Sequence, residues 1–259
     1  SGGNDFWDEF WGGGSDVSTP FWNLTNAGTN AQNGTITFTF GNNFFDSNGL
    51  ADAGRQEAIR NALDVYEDVL GIDFVEVSDF NADLAFGDWD SGRAYANFDR
   101  AGDGSISRAW INIATNWSGN GTIGDYYFHT ALHEIGHTLG LGHQGNYNAG
   151  QGSLTYGNQA QWQNDTIQYT MMSYWAQANY TQAGYLTPSG ASLGDVNVIG
   201  PQIVDWIALD RIYNPQGYGI DDGATTGNTT WGFNTTWGTS NAPPLENTLN
   251  NAFRSLSDL

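Results

Sequence analysis

The stretch ALHEIGHTLGLGHQGNYNAG, residues 131–150, holds three of the chain's four histidines, His133, His137 and His143, with Glu134 between the first two. His133 and His137 stand four residues apart. On a helix that spacing puts both side chains on one face, one turn from each other. Two imidazoles so placed can grip a single zinc ion. Glu134 is turned by about 100° from His133. It is out of line for a third ligand but can reach a water beside the ion, where a general base is needed.

His143 lies six residues past His137, too far round a straight helix. Gly140 resolves the difficulty. A glycine can take the left-handed conformation, end the helix and let the chain fold back, so that His143 returns to the metal. Gly140 is therefore part of the site although it binds nothing. His129, one turn before His133, lies on a similar face. It is open to three readings: a fourth metal contact, a group behind the ligands, or a packing histidine.

Outward from this stretch, Asp125 is a fair N-cap for a helix running through Leu139. Upstream, TITFTF (35–40) alternates threonine with apolar residues and predicts a half-buried strand. LADAGRQEAIRNALDVYEDVLG (50–71) spaces apolar residues at 59, 63, 66, 69 and 70, with Gly71 as a stop, and predicts a helix. DFVEVS (73–78), DLAFG (83–87) and RAWINI (108–113) predict strands, and RAYANF (93–98) a short edge strand. The order suggests an α+β or α/β layer with helices on a sheet. Residues 144–200 are loop-rich. QIVDWIALDRIYN (202–214) predicts an amphipathic helix with Ile203, Trp206, Ile207 and Ile212 near one face. Phe6, Trp7, Phe10 and Trp11 suggest a short docked helix. Residues 215–244 resemble a linker, and Leu245, Leu249, Phe253 and Leu256 suggest a closing helix.

The composition narrows the function classes. The 259 residues carry a formal charge of −21, and all seven basic residues are arginines. Such a surface repels nucleic acid and anionic lipid. No apolar run is long enough to span a membrane. There are no cysteines, so stability comes from core and metal. SGGNDFWDEFW lacks the basic start and apolar centre of a signal peptide, which reads as a mature or processed end.

His133-Glu134-x-x-His137-x-x-Gly140-x-x-His143 matches the zinc motif of the metzincins. QYTMMSYW (168–175) resembles their methionine turn, with Met172 as the turn methionine, Met171 as the competing choice, and Tyr174 two residues beyond. GNYNAGQGSLTY (145–156), MMSYW, GPQIVDWIALDRIYN (200–214) and TTGNTTWGFN (225–234) are similar to serralysin segments. The resemblance covers roughly residues 30–235. It implies an α+β metzincin zincin-like fold, with a twisted mixed five-stranded sheet and two long helices over an irregular C-terminal subdomain with a further helix. The catalytic domain would span 1–217, upper subdomain to about 143 and lower from about 144, with linker and C-terminal extension over 218–259.

The resemblance further implies a secreted, extracellular zinc endopeptidase of bacterial type. It would act on proteins or peptides as a monomer, without nucleic acid or membrane. His133, His137, His143 and Tyr174 would be the metal residues and Glu134 and Tyr174 the catalytic ones. Gly140 and Met172 would be structural. Arg93, Ala94, Tyr95, Ala96, Asn97 and Phe98 would be the strand that binds substrate. The chain departs from the serralysin pattern at Gln144, where proline is expected. It departs again at Thr225-Thr226-Gly227-Asn228, which stands for the family's R-T-G-D calcium segment and counts against Ca²⁺ there. The family's glycine-rich calcium-binding β-roll has no counterpart in the sequence. DRAGDG (99–104) lacks the spacing of an EF-hand and reads as a solvated turn.

Overall fold

Each segment with period-two alternation becomes a strand. The computed structural model describes residues 19–25, 31–148, 152–179 and 197–220. Its strands are β1 (Phe21–Trp22), β2 (Thr35–Thr39), β3 (Asp73–Glu76), β4 (Leu84–Gly87), β5 (Ala94–Arg100) and β6 (Ser105–Ile113). Its α-helices are α1 (Ala53–Leu70), α2 (Tyr126–Thr138), the single turn α3 (Tyr156–Gln159) and α4 (Ile203–Tyr213).

The sheet is mixed, as expected, but has six strands among the described residues where five were expected. The sixth is β1. Two residues show no alternation that a sequence reading could detect. They pair with Ser105 and Ile106, and Trp22 is fully buried in the core beneath. β3, β2, β4 and β6 run parallel in that order, and β5 pairs antiparallel along β6. Parallel neighbours need a crossover, and α1 provides it between β2 and β3. Among the described residues β5 pairs with β6 alone, so its outer side is a sheet edge there. Of the 99–104 segment, Asp99 and Arg100 end β5 and residues 101–104 form the β5–β6 turn, in which Asp103 accepts from the backbone and hydroxyl of Ser105.

α1 starts at Asp52, whose carboxylate accepts from Arg55 N, and stops at Gly71 with φ 69°. Ile59, Leu63, Tyr66 and Leu70 face the core. α2 is capped by Asp125. One carboxylate oxygen takes Phe128 N, and the other gathers the N–H groups of Asn120, Gly121 and Thr122. Nearly every residue of α2 is buried, because the helix is packed on α1, β5 and β6. That is the pattern of a helix inside a domain, not on its surface.

α4 forms where expected, and Trp206 and Ile212 of the expected face pack against the core, but the most buried face is rotated from it. Asp205, Ala208, Leu209 and Tyr213 point inward, while Ile203 is 64% exposed and Ile207 39%. Polar anchors set this rotation. Tyr213 Oη donates to Leu139 O, and Asp205 is bound by groups of the segment before Met172. Counting apolar residues cannot see partners on other segments. The segments at 6–11, 225–228 and 245–256 lie outside the described residues.

Candidate metal centre

The helix end decides where His143 goes. Leu141 N–H donates to Gly136 O and Gly140 N–H to His137 O, the paired bonds of a Schellman stop. Gly140 has φ 103°, and a Cβ there would lie 2.3 Å from Pro20 O. Neither the conformation nor the space admits another residue. The chain then turns back and places His143 beside His133 and His137. Their ligand atoms all lie within 4.8 Å of one another.

Each imidazole is fixed from behind by a backbone carbonyl. His133 Nδ1 donates to Met171 O at 2.9 Å, His137 Nδ1 to Leu141 O at 2.7 Å, and His143 Nδ1 to Tyr147 O at 2.8 Å. A carbonyl can only accept, so each proton sits on Nδ1 and each Nε2 offers a lone pair. The result is a contact between two acceptors: His133 Nε2 lies 3.3 Å from His143 Nε2. Two nitrogens bound to one tetrahedral zinc stand about 3.3 Å apart, from the usual Zn–N length. The donor set therefore fits a zinc ion in chemistry and in spacing.

Electrostatics agree. Burial lowers the pKa of all three rings, to about 4 for His137 and about 3 for His143, with the neighbouring imidazoles adding to the effect at His133 and His143. Neutral imidazole is the form that binds metal. Glu134 is buried beside them. Burial raises its carboxyl to about 8, against one hydrogen bond from the backbone of Ala96. Ala96 belongs to β5, so the carboxyl is tied to the sheet edge, and its Oε2 has no partner among the described residues.

Below the rings lie Met171 and Met172, both fully buried. A Cβ on Gly136 would stand 2.9 Å from Met172 Sδ and 3.1 Å from Met171 Cε. The turn can approach the helix only because residue 136 is glycine. Met171 supplies the carbonyl that fixes His133, so both methionines serve the site. Asp205 Oδ2 accepts from Met171 N at 2.9 Å and from Gln202 N at 2.7 Å, and Oδ1 from Thr170 Oγ1. Burial raises the Asp205 carboxyl to about 6 in spite of these donors.

Tyr174 stands at the rim, 37% exposed, its ring centroid 4.4 Å from that of His143. Its hydroxyl donates to Asn148 Oδ1 at 3.4 Å. Arg93 precedes β5, and Ala94 to Phe98 lie in it. His129 is not in the converging group. It stacks on Tyr126 and bonds the backbone of Val198. Gln144, the departure after the third histidine, is fully buried and donates to Asn164 Oδ1 at 3.4 Å. Gly136 and Asp205 were missed in the sequence. A glycine inside a helix was the one visible signal for the first; nothing local marked the second.

The sequence profile of the peptidase M10 family, matrixin, matches residues 29–168, a span that contains all of these histidines and Glu134. The chain belongs to the matrixin family. Within it the chain is of the serralysin type, a class of metzincins. It is 35% identical over 199 residues to metallopeptidase AprA of Pseudomonas marginalis, covering 71% of this chain and 39% of that protein. It is 29% identical over 238 residues to serralysin B of Dickeya chrysanthemi, covering 82% and 44%. It is 32% identical over 219 residues to serralysin of Proteus mirabilis, covering 77% and 40%. The matrixin-family chain thus matches less than half the length of these relatives. Among solved structures, high choriolytic enzyme 1, a hatching-enzyme zinc protease of Oryzias latipes, is similar at a TM-score of 0.41 and 16% identity, over 75% of this chain and 94% of that one.

Proposed function

We propose that this chain is a zinc-dependent endopeptidase that hydrolyses peptide bonds of proteins and is secreted, as a serralysin-type catalytic unit within residues 1–217. The observation that carries the reading is the convergence of three unprotonated Nε2 atoms beside a buried glutamate. His133, His137 and His143 would hold Zn²⁺. When bound, the ion lowers the pKa of a coordinated water to about 7 and polarises a carbonyl.

The chain's own residues do the rest. Glu134 takes the proton of the attacking water and passes it to the nitrogen of the departing amine. A cation at the three imidazoles favours its carboxylate form and opposes the effect of burial. The outer side of β5, from Arg93 to Phe98, receives the peptide as an added strand. Glu134 already bonds this edge through Ala96, which sets the base at the peptide's level. Tyr174, at the rim, donates its hydroxyl to the oxygen that gains charge as the carbonyl becomes tetrahedral. Gly140 and Met172 hold the geometry without touching substrate.

The test is cleavage of a dye-labelled casein. Activity should vanish with 1,10-phenanthroline and return with added zinc. Binding of zinc without cleavage would leave a metal-holding peptide binder and overturn the enzymatic reading.

A further inference from the structure

His143 is the ligand furthest from the helix, and it depends on packing behind it. Its Nδ1 proton goes to Tyr147 O, and the Tyr147 ring stacks on the imidazole, centroids 5.3 Å apart and planes 15° apart. Tyr147 is 3% exposed, and its hydroxyl donates to Asp165 Oδ1 at 2.9 Å. Asp165 is fully buried. Burial raises the pKa of its carboxyl and Ser173 and Trp175 lie close enough to lower it, but its Oδ2 and the Trp175 indole nitrogen have no hydrogen-bond partner among the described residues. Ser173 and Trp175 flank Tyr174. The Tyr147 ring itself lies 5.0 Å from that of Tyr174 and 5.2 Å from that of Trp175.

One buried carboxylate thus stands behind both parts of the site that lie off α2. A buried carboxylate is a costly way to fill space, and an apolar residue of similar size would be cheaper. Its use lies in direction. A hydroxyl fixed to an oriented acceptor cannot rotate or withdraw, so the ring that carries it holds one tilt. Groups that orient a metal-bound histidine from behind change metal affinity by about 10 to 100-fold when removed.

We propose that Asp165 is a positioning residue of the metal centre: through the Tyr147 hydroxyl it sets the tilt of the Tyr147 ring, which packs on both His143 and Tyr174. This rests on the metallopeptidase reading above. Asp165→Ala leaves the Tyr147 hydroxyl buried without an acceptor, and the ring must shift. Asp165→Asn keeps a carbonyl oxygen for that hydroxyl. Tyr147→Phe keeps the stack and deletes only the oxygen.

The experiment measures zinc affinity by competition with a chromophoric chelator, and the visible spectrum of the Co²⁺-substituted protein. It uses the full chain, wild type, Asp165→Ala, Asp165→Asn, Tyr147→Phe and the double variant Tyr147→Phe/Asp165→Ala. Asp165→Ala and Tyr147→Phe should each bind zinc about tenfold more weakly. The double variant should be no weaker than the worse single one, because both act through one bond. The Co²⁺ bands should shift in Asp165→Ala and stay near wild type in Asp165→Asn. Wild-type affinity and spectrum in Tyr147→Phe, or losses that add in the double variant, would overturn the proposal. If Asp165→Ala does not fold, Tyr147→Phe decides alone. A wild-type chain that binds no zinc would instead overturn the metal-centre reading, a separate result.

Discussion

His133 Nε2 and His143 Nε2 face each other at 3.3 Å, both stripped of their protons by the carbonyls behind them. Without a cation this is a repulsive contact held in place by the fold. With one, the repulsion becomes ligation. Metal removal should therefore destabilise the chain. A ligand present at a thousand times its dissociation constant adds about 4 kcal/mol to stability, which for a domain of this size is a melting shift of roughly 10 °C. Calorimetry with and without a chelator should show the loss, and restored zinc should reverse it.

Gly140 should tolerate no side chain. Gly140→Ala combines a left-handed backbone with a Cβ 2.3 Å from Pro20 O. A loss of about 2 kcal/mol or more is expected in urea denaturation, since the conformation alone accounts for 1–2 kcal/mol. Zinc affinity should fall as well, because Leu141 O, which fixes His137, lies next to the altered residue.

Much of this was legible in sequence because the site is local. Three ligands, the base and the helix stop fall within eleven residues, 133–143, and helical geometry relates them without a tertiary fold. The strand segments at 35–40, 73–78, 83–87 and 108–113 also announced themselves by composition and alternation. What sequence could not show was contact between distant segments. Asp205 is read locally as an acidic residue in the first turn of α4, and only the fold reveals that it carries the Met171 backbone. Tyr147 and Asp165 are 18 residues apart and share no pattern. The buried face of α4 was only half seen for the same reason: Trp206 and Ile212 pack on the core, but polar anchors at Asp205 and Tyr213 turn Ile203 and Ile207 outward.

Asp205 should be costly to remove. Asp205→Ala leaves Thr170 Oγ1, Met171 N and Gln202 N without their acceptor. Hydrogen bonds to a charged group contribute about 1.5–3 kcal/mol each. A loss of roughly 3 kcal/mol or more is expected, together with a lowered zinc affinity, since Met171 O fixes His133.

The pH dependence should show at Asp64 on α1. Burial, then Asp68, then Glu57, raise its carboxyl to about 6. A carboxyl raised in the folded state binds its proton more tightly there than in the unfolded chain. Its contribution is present below the unfolded pKa of about 4 and is lost as pH rises through about 6. Asp64→Asn removes the ionised form. The variant should melt higher than wild type at pH 7.5, and the gain should shrink through pH 6 and vanish near pH 4. Equal gains at both ends of that range would show that charge is not the cause.

Tyr174→Phe should separate binding from chemistry. The ring stays beside His143 and the hydroxyl is gone. Removing one oriented donor to a developing oxyanion costs about 3 kcal/mol, or roughly 100-fold in kcat. KM should change little, because the donor acts on the transition state.

The most direct measurement is made on Glu134→Ala, with metal content and casein cleavage read on the same sample. One equivalent of zinc should remain, since His133, His137 and His143 are untouched, and proteolysis should fall to background. Full cleavage by the zinc-loaded variant would contradict the assignment of Glu134 as the base.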